Sequence, residues 1–178
     1  WVKRASTGTG DFVFHLGDGN GLGDVDELGL YWPAGGDELR LEKRNAEGSQ
    51  AVIRHAPVPA GEWHYVSITC DRTAPNTATL TLYVDGFPAG SMEGVSMALN
   101  QARPVVIGGH AESPGDSAGW LDGRLDDVLI SGGVLSRAEL RQLTTMGAAH
   151  VFGLPVADSF DVTINGLNHA PSVSMIPD

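Results

Sequence analysis

Apolar and polar residues alternate with a period of two along much of this chain, in short runs broken by turn residues. Period two with one apolar face is the mark of a strand covering a core on one side. Two runs show it best. His64, Val66, Ile68 and Cys70 alternate with Tyr65, Ser67 and Thr69, and Leu80, Leu82 and Val84 alternate with Thr79, Thr81 and Tyr83. Asp85-Gly86 follows with the positive φ of a tight hairpin turn, and Phe87 begins the return strand. Pro88 keeps that strand out of a sheet centre, because it lacks the amide that a central ladder needs. Further strands are predicted over Phe12–Leu16, Leu28–Trp32, Glu38–Arg44, Ala51–His55, Pro104–Ile107 and Leu125–Ile130, with Ser159–Ile164 as a late one. Gly17–Asp24 and Pro33-Ala34-Gly35-Gly36 read as loops. The period then changes. Ser136-Arg137-Ala138-Glu139 is a capping box. Leu140, Leu143 and Met146 share one helical face, and Gly147 fits the stop.

Several short phrases follow one another in a fixed order, with no internal repeat. Glu62-Trp63-His64-Tyr65-Val66 precedes Leu82-Tyr83-Val84-Asp85-Gly86, then Val106-Ile107-Gly108-Gly109, then Gly123-Arg124-Leu125-Asp126-Asp127-Val128 and Leu135-Ser136-x-x-Glu139. From Trp1 to about Gly147 the chain resembles the laminin-G-like branch of the concanavalin-A-like lectin/glucanase superfamily. The resemblance implies an all-β, two-sheet antiparallel jelly-roll sandwich with one short C-terminal helix. It also implies that Trp1-Val2-Lys3 lies inside an early strand, with a strand or two before it, so the sequence is expected to be an excerpt of a longer protein. The expected organisation is a laminin-G-like domain over 1–150 and a final strand or linker over 151–168. Residues 169–178 are expected to begin another repeat, since Asn168-His169-Ala170-Pro171-Ser172-Val173 resembles the opening of an immunoglobulin-like or cadherin-like one.

Composition narrows the function. The 178 residues suit one domain plus a short remainder. Acidic residues number 22 against 11 basic, a formal net charge of −11, which argues against nucleic acid and anionic membrane surfaces as partners. No apolar run approaches the roughly 18 residues of a membrane span. Cys70 is the only cysteine, so neither an intrachain disulfide nor a cysteine metal cluster can form. Its mid-strand position predicts a buried, inert thiol.

Candidate chemistry is sparse. Strict alternation puts Asp126 inward with Val128 and Ile130, where a carboxylate needs donors or a cation. The resemblance implies a structural calcium held by Asp126; backbone amides of a neighbouring loop are the alternative. The loop from Asp18 fails as an EF-hand, since Leu22 and Gly29 stand where oxygen ligands are required. Asp24-Val25-Asp26-Glu27 resembles the carboxylate strand of retaining glucanases, but Glu27 falls on the face opposite Asp24 and Asp26, and the position that should follow with a third acid holds Leu28. The six histidines are scattered, with no i, i+4 pair, and no Gly-x-Ser-x-Gly elbow occurs. Sugar recognition would use exposed aromatics beside polar groups. Trp120, Tyr83 and Trp32 are the candidate ligand-binding residues, with Tyr31 beside them; the alternative is that Trp63 and Trp120 pack inside. The resulting expectation is a non-catalytic binding or adhesion module in a larger extracellular or cell-surface bacterial protein, with carbohydrate or an extracellular glycoprotein as partner. A spacer without specific ligand, and a partial or degenerate glycoside hydrolase, are the alternatives.

Overall fold

The computed structural model describes residues 1–8, 10–17, 27–45, 48–97, 105–110, 119–151 and 162–164. Asp24, Asp26, most of the loop 17–24, the start of the 159–164 strand and the 169–178 repeat opening lie outside the described residues. The first layer is a five-stranded antiparallel sheet. It holds β2 (Asp11–Leu16), β3 (Glu27–Trp32), β4 (Leu39–Asn45), β5 (Gly48–His55) and β9 (Val105–Ile107), in the order β5-β4-β3-β2-β9.

The facing layer is built from two three-stranded pieces. One orders β1 (Val2–Arg4), β10 (Gly123–Leu125) and β11 (Val162–Ile164); the other orders β6 (Val66–Ala74), β7 (Thr77–Val84) and β8 (Phe87–Ser96). A bridge links them: Val2 and His64 exchange two backbone hydrogen bonds, each 2.9 Å, and Gly61 N–H donates to Arg4 O at 2.7 Å. The layers close face to face over Leu28, Leu30, Trp32, Leu39 and Leu41 on one side and Leu80, Leu82, Val84 and Met92 on the other. They approach closely, since a Cβ on Gly90 of β8 would stand 2.6 Å from Ile53 of β5.

Much of the local reading holds. On β7 burial alternates residue by residue, with Ala78, Leu80, Leu82 and Val84 inward. Asp85 and Gly86 both take positive φ, 52° and 76°, as a two-residue hairpin turn requires. β8, with Pro88, is an edge strand. At the helix α1 (Arg137–Val151) the capping box closes both ways: Ser136 N–H donates to Glu139 Oε2 at 2.7 Å, and Glu139 N–H donates to Ser136 Oγ at 3.3 Å. The Ser136 bonds hold the Glu139 carboxyl below its ordinary pKa. The helix continues past Gly147 to Val151, so that glycine is interior to it and does not stop it.

Two expectations are corrected. The strand predicted over Leu125–Ile130 ends at Leu125. Pairing of β10 with β1 starts at Val2↔Leu125 and is continued only by Trp1, whose carbonyl accepts the Asp126 amide at 2.9 Å. Past that register no described strand lies alongside, Asp127 turns to φ 47°, and Val128, Leu129 and Ile130 are exposed. Cys70, expected to be buried, is exposed. β6 is an edge strand, and from Cys70 to Ala74 it runs out of the sandwich. Partial desolvation still raises the Cys70 pKa, so it stays a thiol at neutral pH. Between β6, β2 and β9 the interior is open as a cavity of about 440 Å³, bordered by Phe14, Leu16, Val66, Ile68, Ile107 and Val128–Ile130. Among the described residues no helix is long and apolar enough to cross a membrane.

Candidate binding face on the five-stranded sheet

The inner face of β3 carries Leu28, Leu30 and Trp32, so Glu27, Gly29 and Tyr31 point outward. Their cross-strand neighbours on β4 are Arg44, Glu42 and Arg40. On β2 a bulge between Phe12 and Phe14 inserts Val13. Phe14 pairs with Leu30 on the inner side, while Phe12 pairs with Tyr31 on the outer side. Strict alternation would have kept Phe12, Phe14 and Leu16 on one face; the extra residue turns Phe12 over.

Phe12 stacks on Tyr31 with centroids 4.8 Å apart and an interplanar angle of 17°. Gly29 makes room, since a Cβ there would meet the Phe12 ring at 3.1 Å. The Tyr31 hydroxyl donates a short hydrogen bond to Glu42 Oε2, and Arg44 Nε lies 3.3 Å from Glu42 Oε1. Burial raises the Tyr31 pKa, and the bond to Glu42 raises it further. Arg40 donates to Glu38 at 2.6 Å, a bond that raises the Arg40 pKa. Beyond Phe12 the rings continue, with His110 at 4.6 Å from Phe12 and at 3.9 Å from His15. His15 and Glu27 are buried and His110 is half-buried. Among the described residues, His15, Glu27 and His110 are the group of metal-capable side chains that converges, with ligand atoms within 4.8 Å of one another.

The structure places the residues singled out from sequence elsewhere. Trp32 is 1% exposed, in the core beneath the Arg4 guanidinium at 4.9 Å, so no ligand can stack on it. Tyr83 does face away from the main core, as alternation required, but it packs with Tyr65, Leu140 and Leu143 under α1. Trp120 is half-buried on Gly109, where a Cβ would fall 2.5 Å from the ring. Trp63, read as a packing residue, is 37% exposed. Asp126 is half-buried and its Oδ1 accepts the Asp127 amide at 2.8 Å, so it supports the turn as one carboxylate of an adjacent pair. Its backbone carbonyl accepts a hydrogen bond from the Trp1 backbone nitrogen at 2.7 Å. Of the named aromatics, Tyr31 lies in the outer-face stack.

A family model described as the concanavalin A-like lectin/glucanases superfamily, Laminin_G_3, matches residues 1–141. The chain belongs to that superfamily. The match covers all of the layers just described except β11 and the end of α1. No curated protein matches the chain. Superfamily membership fits the two layers of antiparallel strands and the single described helix, and it admits both binding and glycoside-hydrolase roles. Membership alone does not say which residues carry a function. Phe12, His15, Arg40, Glu42 and His110 escaped the sequence reading. The bulge on β2 decided one of them, and three strands of pairing decided the rest; the one sequence signal was the run of charged residues opposite β3 in Leu39–Asn45.

Proposed function

We propose that this domain is a non-catalytic carbohydrate-binding module, acting in adhesion or targeting within a larger extracellular protein. The observation that supports it is the Phe12–Tyr31 stack bordered by Glu42, Arg40 and Arg44 on an outer sheet face. A pyranose ring has one apolar face and a rim of hydroxyls. An aromatic platform meets the first, while carboxylate and guanidinium groups meet the second and fix orientation. The test is binding of the full chain to a panel of neutral and acidic polysaccharides by affinity electrophoresis and calorimetry. Tyr31→Ala should weaken the affinity about tenfold or more, the effect of losing a central contact. Retention of full affinity in Tyr31→Ala would remove this face from consideration, and absence of binding across the panel would favour the spacer.

The hydrolase reading has one observation in its favour. Glu27 and Glu42 are diagonal neighbours on adjacent strands of the same face. Against it, Glu42 already accepts from Tyr31 and is ion-paired with Arg44, and Glu27 lies among imidazoles. We therefore expect no release of reducing sugar from laminarin, agar or xylan. Release that disappears in both Glu27→Gln and Glu42→Gln would make the domain an enzyme.

A further inference from the structure

His15, Glu27 and His110 share no motif, yet they meet at one end of the outer face. The register of β2 and β3 explains two of them. His15 pairs with Gly29 and Leu16 with Leu28, so the next step sets Gly17 opposite Glu27. His15 and Glu27 are thus diagonal neighbours on one face. Gly17, between them, has no side chain: a Cβ there would stand 2.8 Å from His15 Cε1 and 2.9 Å from Glu27 Cγ. The third group, His110, comes from the segment just past β9 and lies over His15 with ring centroids 3.9 Å apart. Phe12 backs both imidazoles, at 5.9 Å from His15 and 4.6 Å from His110.

We propose that His15, Glu27 and His110 form a binding site for a divalent transition-metal ion of the zinc class, held by two imidazole nitrogens and one carboxylate oxygen. The donor set selects the ion. Calcium takes six to eight oxygens, and two of the three donors here are nitrogen. Imidazole with carboxylate suits zinc and its borderline neighbours. Donors bonded at roughly 2.0–2.1 Å around a tetrahedral ion stand roughly 3.3–3.4 Å apart. The present ligand atoms lie within 4.8 Å of one another, so closure on an ion asks for a shift of about 1.5 Å at most. His110 is the group that can supply it, because it is half-buried and lies outside the strand ladder that fixes the other two. Burial of His15 and Glu27 against an apolar ring strengthens attraction for a cation, since water screens less there. Three protein donors leave a fourth position for water or for an oxygen of a bound molecule.

The test uses the full chain after treatment with a chelator. Zinc and calcium are titrated separately by calorimetry, and cobalt(II) is added to a third sample to read its visible absorption. Zinc should bind at about one equivalent and be preferred over calcium by roughly a hundredfold or more, and cobalt should give the bands of a nitrogen-containing site. His110→Ala and Glu27→Gln should each weaken zinc at least about tenfold and abolish the cobalt bands. His55→Ala, outside the cluster, should change neither. If Glu27→Gln fails to fold, His110→Ala decides, since its melting temperature without metal should match the parent chain. Absence of zinc binding at millimolar concentration, equal affinity for calcium, or binding unchanged in His110→Ala would each overturn the proposal and leave the three groups as a hydrogen-bonded structural cluster. The readout is metal alone, so it stands or falls apart from sugar binding.

Discussion

Within the five-stranded sheet, β2, β3 and β4 are paired along both edges. In the facing layer, β6 is paired with β7, yet β1 is met only by the segment ahead of β6, at His64↔Val2 and through Gly61 N–H donating to Arg4 O at 2.7 Å. The first sheet buries Leu39 and Leu41 completely and still presents an ordered outer face. The second leaves Val66 and Ile68 only partly buried beside the open cavity, with Val128–Ile130 exposed across the gap. Both layers are written in the same alternating pattern. Alternation tells a strand which face is apolar, and it cannot tell the strand whether a neighbour is present to complete the sheet. A polar tie adds to the apolar core between the two layers. Arg4 on β1 is 1% exposed, donates to Gly36 O at 2.8 Å and Asp37 Oδ1 at 3.0 Å, and stands 3.9 Å from Asp11 of β2. Burial pulls its pKa down while both carboxylates pull it up.

That polar tie should produce the largest single effect. Arg4→Ala removes the cation from a fully buried carboxylate, Asp11, and should cost about 3–5 kcal/mol in denaturant unfolding. A loss under about 1 kcal/mol would mean that apolar burial alone joins the layers.

The difference in core completeness can be measured directly. Leu41→Ala should cost about 2–5 kcal/mol, the range for a filled core site. Ile68→Ala should cost less than half as much, because its side chain already borders the cavity. Equal losses would show that the opening is closed in solution.

Smaller, and local to the β1–β10 pair, is the close approach at Gly123. A Cβ there would stand 2.3 Å from Lys3 O, so Gly123→Ala must push the two strands apart, at about 1–3 kcal/mol. Gly132, with nothing within 4 Å of its Cβ position, should accept alanine within about 0.5 kcal/mol. Matching melting temperatures for the two variants would contradict the pairing.

The smallest effect belongs to the outer face. Burial, then Glu42, raises the Tyr31 pKa, and burial raises that of Tyr65. The folded chain therefore keeps these protons to higher pH than the unfolded chain does. Their contribution is whole below about pH 10 and is lost as pH rises through the raised values. Tyr31→Phe should leave a shallower decline in melting temperature above pH 10. An unchanged slope would place the Tyr31 hydroxyl in water.

Most of the strand set, the Asp85-Gly86 turn and the Ser136–Glu139 cap were legible in the sequence, whereas the strand expected over Leu125–Ile130 was misplaced. Each depends on residues within a few positions of one another, where periodicity and turn chemistry act directly. The sites were not legible. Trp32 reads as a stacking candidate until the partner sheet covers it, and Tyr83 does so until α1 packs over it. Phe12 changes face through a one-residue bulge. His15, Glu27 and His110 approach only because β2 lies between β3 and β9 in the sheet. The sequence by itself determined most of the local elements and, on strands such as β7, the face turned inward, because neighbouring residues set backbone geometry. Tertiary structure alone decided which outward residues meet and which are covered, because those contacts join positions distant in the chain through strand order and register.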